Sequence, residues 1–135
     1  MSSLHFVYLY LLTIPILALL DILWLGFIAN DFYQTRLMHL LGPVQWPAAI
    51  AFYFIFIAGL LFFAVAPALD GQSLSKAIIL GTLFGFFTYA TYDLTNLATL
   101  TDWSLSVVFV DIIWGAILSG SIAAISYSIG KWLFL

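Results

Sequence analysis

The sequence predicts an all-α integral membrane protein: a bundle of four transmembrane helices, with a short interfacial helix between the first two spans. The first observation is composition, since 65% of the 135 residues are hydrophobic and only 7% are charged. A soluble domain has about a quarter charged residues, so this chain lacks the polar side chains to cover a water-facing surface. The second observation is four continuous apolar runs, each near the ~20 residues that cross the hydrocarbon core.

The predicted spans cover residues 4–29, 47–65, 76–100 and 104–129. Without water in the bilayer core, backbone groups must bond within each segment, and continuous runs favour helices over the alternating pattern of a β-barrel. Residues typical of turns and helix caps separate the spans. The expected boundaries are Asn30–Asp31, Pro67 with Asp70–Gly71, Ser73 or Ser75, and Thr101 or Asp102.

The segment 32–41 is too short and too polar to span a bilayer. Apolar residues such as Phe32 and Leu37 alternate there with Gln34, Arg36 and His39. This pattern is typical of an amphipathic helix that lies in the membrane interface. No composition shift or linker divides the chain, so residues 1–135 are predicted to form a single transmembrane domain.

Composition also excludes several functions. Three basic residues in the whole chain are too few for an electrostatic nucleic-acid surface, so no nucleic-acid partner is expected. The absence of cysteine excludes thiol chemistry and cysteine-ligated metals. Lys76 lies at the very start of the third span, so no lysine lies deep enough in a span to form a retinal Schiff base. No cofactor is therefore predicted, and the lipid bilayer is the partner that this composition predicts.

Three aspartates fall inside predicted spans, and no Lys, Arg or His lies at membrane depth to pair with them. They are Asp21, Asp93 and Asp111. Each lies roughly 7 to 8 Å from the middle of its helix at a rise of about 1.5 Å per residue. Spans one and three run in one direction and span four in the other, which places all three carboxyls at one level in the same leaflet. Such residues usually face a bundle interior or a wet cavity.

Polar neighbours indicate a shared site at this level. Tyr89, Asp93 and Asn96 share one face of the third helix. The fourth helix carries a stripe of small and hydroxylated residues, and Gly81 and Gly85 form a GxxxG pattern on the third, both typical of helix contacts. The predicted ligand-binding residues are Asp21, Asp93, Asp111, Asn96, Tyr89, Tyr92, Thr95, Trp24 and Trp114. If a hard cation binds, the three aspartates are its expected ligands.

The sequence also resembles a bacterial family of small four-span membrane proteins known only as a domain of unknown function. The clearest signature is the run Tyr89–Leu100, followed by Trp103 and Asp111–Gly115. Further similar positions are Asp21, Trp24–Gly26, Phe52–Tyr53, Gly59 and Pro67–Ala68. The resemblance implies the four-span fold and a bacterial inner membrane, but no activity. The positive-inside rule then favours cytoplasmic termini, because Lys76 and Lys131 lie on the terminal side and Arg36 on the other.

Three functions are compatible with the sequence. The leading hypothesis is that the acidic site binds or passes a proton, a hard cation or an amine-bearing solute, with a homodimer needed for transport because four spans enclose little volume. The first alternative is a lipid-modifying or lipid-handling enzyme that uses two aspartates as general acid and base. It has no histidine at depth to activate Ser119 or Ser121. The second alternative is an accessory subunit of another membrane protein.

Overall fold

The computed structural model describes all 135 residues, which are 87% helical with no strands. Four helices are long and apolar enough to cross a membrane, at Ser3–Ile28, Trp46–Asp70, Leu74–Thr99 and Leu105–Phe134. The predicted fold class is confirmed, including a short helix between the first two spans. The second and fourth spans are each five residues longer at their C-terminal end than the sequence predicts.

The first span and the interfacial helix follow each other almost without a break. Helix α1 covers Ser3–Leu23 and continues as a π-helical turn at Trp24–Ile28. Helix α2 covers Asn30–Leu37, and a 3₁₀ turn follows at Met38–Leu40. Tyr33 and Leu37 on α2 are buried, so this helix packs against the bundle as well as lying at its end.

The second span is a continuous rod of three pieces. Helix α3 covers Trp46–Leu60, a π-helical turn covers Leu61–Val65, and α4 covers Ala66–Asp70. Of the predicted end at Pro67 and Asp70–Gly71, the second part is confirmed, since α4 ends at Asp70 with Gly71 as its C-cap. Pro67 does not end the helix, because it lies in the first turn of α4. Proline provides no N–H for the carbonyl four residues earlier, and the wider π-helical turn immediately before α4 accommodates that loss.

The last two spans are long, regular helices, α5 at Leu74–Thr99 and α6 at Leu105–Phe134. The Ser73 hydroxyl accepts a hydrogen bond from the Lys76 N–H at 3.1 Å, which confirms the serine cap of α5. The cap of α6 is Ser104 rather than Thr101 or Asp102, since its hydroxyl accepts from the Val107 N–H at 3.3 Å. Ser104 has the extended backbone of an N-cap, with φ −74° and ψ 124°.

Helices α5 and α6 approach each other more closely than ordinary side chains allow. A methyl group at Gly85 would overlap the Gly115 carbonyl oxygen and the Ser119 side chain. A methyl group at Gly81 would lie 2.9 Å from the Ser119 carbonyl oxygen. The predicted GxxxG contact is therefore confirmed, and the small-residue stripe of α6 is the surface that it meets.

The apolar core fills the half of the bundle nearest the chain termini. Its fully buried members include Leu9 of α1, Ile57 of α3 and Ile122 of α6. In the same half, the Thr13 and Ser126 hydroxyls lie 2.9 Å apart and join α1 to α6. The opposite half, towards α2, has far fewer buried aliphatic side chains and contains a cavity of about 730 Å³.

Candidate functional site

A cavity of about 730 Å³ lies where the end of α1, α2, the start of α3, the end of α5 and the start of α6 converge. Sixteen residues line it, and twelve of these are aliphatic or aromatic. The lining side chains with polar atoms are Asp21, Tyr33, Gln34, Thr88, Tyr89, Tyr92, Trp103, Asp111 and Trp114. No Lys, Arg or His is among the lining residues, so nothing basic in the wall balances the two carboxyls.

Asp111 lies on α6 and is held from two other helices. Tyr33 of α2 donates a hydrogen bond to Asp111 Oδ1 at 2.8 Å, and Trp24 of α1 donates from Nε1 to the Tyr33 hydroxyl at 3.1 Å. Trp24 also stacks on Trp114 of α6, with ring centroids 4.3 Å apart and an interplanar angle of 8°. The π-helical turn of α1 begins at Trp24, next to this site, where such turns frequently occur.

Burial, and then the negative charge of Asp111, raise the pKa of Tyr33 above its ordinary value. The Tyr33 hydroxyl therefore keeps its proton at physiological pH and acts as a donor to the carboxylate. This orientation leaves Asp111 with further lone pairs for another donor from the cavity.

Asp21 has the same kind of support from a different helix. Tyr53 of α3 donates a hydrogen bond to Asp21 Oδ2 at 2.9 Å. Asp21 and Asp111 are each 9% exposed, enough to present an oxygen to the cavity while the rest of the side chain is buried. Both cavity carboxyls are thus positioned by a tyrosine from a neighbouring helix.

Asp93 is in a different situation, since it is completely buried and does not line the cavity. Its carboxyl faces Asp111 and the Trp103 indole, but neither oxygen has a hydrogen-bond partner. The indole N–H groups of Trp103 and Trp114 are also buried without partners. An ionised carboxylate at this depth costs at least about 2.5 kcal/mol even on the most lenient insertion scale. Asp93 therefore lies behind the cavity wall, next to the lining residues Asp111 and Trp103.

No group of three or more His, Cys, Asp or Glu side chains lies close enough to hold a metal ion. The conditional expectation of a hard-cation site with three aspartate ligands is therefore not met in this structure. The physical reason is the separate anchoring of the carboxyls. Asp21 is turned to Tyr53, Asp111 is turned to Tyr33, and Asp93 is outside the lining.

The structure brings together only part of the predicted ligand-binding set. Asp21, Asp111, Tyr89, Tyr92 and Trp114 line the cavity. The other four predicted residues, Asp93, Asn96, Thr95 and Trp24, are not lining residues. Trp24 acts through its hydrogen bond to Tyr33, as described above.

Thr95 points along its own helix. Its hydroxyl donates to the Thr91 carbonyl and, at 3.1 Å, to the Tyr92 carbonyl. Ser119, considered as a nucleophile, is fully buried in the contact between α5 and α6 and is also outside the cavity.

Sequence reasoning missed the two tyrosines that anchor the carboxyls. Tyr33 lies within the segment 32–41 that the sequence predicts as an interfacial helix, and Tyr53 is one of the positions of the family resemblance. The one available signal is their position near the α2 end of the bundle, at the level of the three aspartates. The remaining missed lining residues are mostly apolar, such as Phe52, Phe56 and Val107, and look like ordinary membrane-facing or core residues in sequence.

Four helices that are long and apolar enough to cross a membrane, with a mostly apolar cavity and two carboxyls at one end, define a small multi-pass membrane protein. The chain matches the model of a family described as predicted membrane protein (DUF2177) over residues 6–128, and it belongs to this family. This match confirms the resemblance seen in the sequence. No curated protein and no solved structure matches the chain.

Proposed function

We propose that the protein binds an amine-bearing organic solute in this cavity, with Asp21 and Asp111 as the charge partners of the ammonium group. The observation that carries the proposal is the pair of tyrosine-anchored carboxyls in a cavity without any basic residue. A cationic ligand would balance the negative charge of these carboxyls. It would thereby offset the free-energy cost of burying an unpaired carboxylate. The surrounding indole and phenol rings add cation–π attraction for an ammonium group.

The size of the cavity favours an organic cation over a bare ion. A volume of about 730 Å³ is within the range of about 300 to 1,000 Å³ that is typical of small-molecule sites. A hard metal ion instead needs several oxygen ligands at 2 to 3 Å, and the carboxyls do not form such a cluster. Of the proton, hard cation and amine considered for this site, the amine-bearing solute therefore fits best.

We propose that one chain is sufficient for binding, because the cavity lies between helices of the same chain. The core that fills the other half of the bundle separates the cavity from the terminal side of the membrane. Passage across the bilayer would need that half to open, and we propose a homodimer for this step only. We also propose that the protein lies in the bacterial inner membrane with cytoplasmic termini, which puts the cavity in the outer leaflet.

The test is thermal unfolding of the purified protein with methylammonium, butylamine, benzylamine, Na⁺, Mg²⁺ and Ca²⁺. A ligand at 100 times its Kd stabilises the native state by about 2.7 kcal/mol, which raises the unfolding midpoint. We expect amines to raise the midpoint of the wild type, with little or no effect in Asp111→Asn. Asp102→Asn is the matched control, because it removes an equal charge from an exposed turn outside the cavity.

Two results would overturn the proposal. Amine stabilisation that persists unchanged in both Asp111→Asn and Asp21→Asn would show that the carboxyls are not the charge partners. If a divalent cation stabilises the protein and no amine does, the ligand is a metal ion and not an organic solute.

A further inference from the structure

The rim of the cavity is mostly apolar, although its deep wall is acidic. The aliphatic and phenyl side chains of the rim are 43% to 62% exposed. They are Leu25 in the last turn of the first span, Leu41 and Val44 in the connection before α3, and Phe52 near the start of α3. In contrast, Asp21 and Asp111 are each 9% exposed. The cavity therefore has a polar inner end and a hydrophobic mouth.

The position of this mouth decides which solvent it meets. Its residues belong to the end of one membrane span, the start of the next, and the short connection between them. They lie at the edge of the hydrocarbon region, where a water-facing opening would be expected to carry polar and charged side chains. The exposed polar lining residues are Gln34 and Tyr92, and residues of this kind suit the level of the lipid headgroups.

We infer that the ligand is an amphiphilic amine that enters from the bilayer, with its ammonium group between Asp21 and Asp111 and its hydrocarbon part against the rim. This inference rests on the proposed function and specifies its substrate class. A small hydrophilic amine would leave the apolar part of the cavity unfilled. An alkyl chain would cover Leu41, Val44 and Phe52 while the charged end reaches the carboxyls.

The chain-length dependence of binding tests the inference. The full-length protein in phosphatidylcholine liposomes is titrated with n-alkylamines of four to twelve carbons. Tryptophan fluorescence is the readout, because Trp103 and Trp114 line the cavity. Transfer of one methylene group from water is worth about 0.8 kcal/mol, so each added carbon should tighten binding about three- to fourfold until the apolar region is filled.

Long alkyl chains also partition into the bilayer. A matched pair of variants distinguishes binding at the rim from this partitioning. Phe52 and Phe54 lie on the same helix and are 43% and 44% exposed, but only Phe52 lines the cavity. We expect Phe52→Ala to weaken decylamine binding about tenfold and to weaken butylamine binding much less. Phe54→Ala should bind both amines as the wild type does.

The outcomes distinguish this inference from the proposed function. If butylamine and decylamine bind with equal affinity and both require Asp111, the inference of an amphiphilic ligand is contradicted. The proposed amine-binding site is then still supported. Equal losses of decylamine affinity in Phe52→Ala and Phe54→Ala would also contradict the inference of an amphiphilic ligand. Decanol that binds as tightly as decylamine, or the absence of any amine binding, would overturn the proposed function together with the inference.

Discussion

Tyr33 occupies a central position among the side chains of the site, because its hydroxyl group both donates and accepts. It donates to Asp111 and accepts from the Trp24 indole, so one phenol connects α1, α2 and α6. Tyr53 performs the simpler role of donor to Asp21. In a low-dielectric interior, such bonds are costly to leave unmade, since each freed partner keeps its desolvation penalty.

The variant Tyr33→Phe should lower the free energy of unfolding by about 1 to 3 kcal/mol, because a buried indole N–H and a carboxyl oxygen both lose their partner. The measurement is denaturant or thermal unfolding of the purified protein in one detergent. Tyr8→Phe is the control, since Tyr8 is 53% exposed. Equal stability of Tyr33→Phe and the wild type would show that water replaces the lost hydroxyl at no cost.

Asp93→Asn should keep the fold and an unfolding midpoint at or above that of the wild type. The amide has nearly the same shape as the carboxyl, carries no charge, and can donate to the facing Asp111 carboxyl. Asp93→Ala is the contrasting variant, because it leaves a void in a fully buried position. If the unfolding midpoint of Asp93→Asn is lower than that of Asp93→Ala, this prediction is contradicted. The fold would then require a charged Asp93.

Among the secondary-structure elements, the close contact between α5 and α6 determines how the bundle packs. Gly81 and Gly85 on one helix meet Gly115 and Ser119 on the other so closely that a side chain has no space. In lipid, helix association depends on packing rather than on the hydrophobic effect, and small residues make that close approach possible. The contact brings Tyr89 over Gly115, which places an α5 side chain in the cavity wall.

Gly85→Ala should therefore destabilise the bundle by about 1 to 3 kcal/mol or more, because the new methyl group overlaps backbone and forces the helices apart. Gly26→Ala is the control within a span, since the nearest side-chain atom to its added methyl lies at 4.0 Å. Unfolding midpoints and expression yields of the two variants are the measurements. Equal values for both would mean that α5 and α6 are less tightly packed than the structure shows.

The whole molecule is asymmetric along the membrane normal. Aliphatic residues fill the terminal half, and the half near α2 holds the cavity and its aromatic and acidic wall. With four spans, both termini lie on the same side of the membrane. The few positive charges, Lys76 and Lys131 against Arg36, favour the cytoplasm for that side.

A green fluorescent protein fused after Leu135 should therefore fluoresce in bacterial cells, because this reporter folds when it stays in the cytoplasm. The same reporter inserted after Gly42, in the connection before α3, should stay dark. A reversed pattern would contradict the orientation alone. Fluorescence from both fusions would contradict the number of spans.

Sequence alone determined the four spans, the short helix between them and the common level of the three aspartates. These features are local, since hydropathy and the fixed rise of a helix set where each residue lies along the membrane normal. The alternating direction of the spans then predicts that Asp21, Asp93 and Asp111 lie at a similar level, without any knowledge of packing.

Only the tertiary structure decided which side chains meet at that level. The rotation of each helix about its own axis depends on contacts between distant parts of the chain, and the sequence pattern of a membrane helix is too uniformly apolar to reveal it. The packing turns Asp93 away from the cavity and brings Tyr33 and Tyr53 to the other two carboxyls. The cavity itself is the space that remains where five segments converge, and no single segment encodes it.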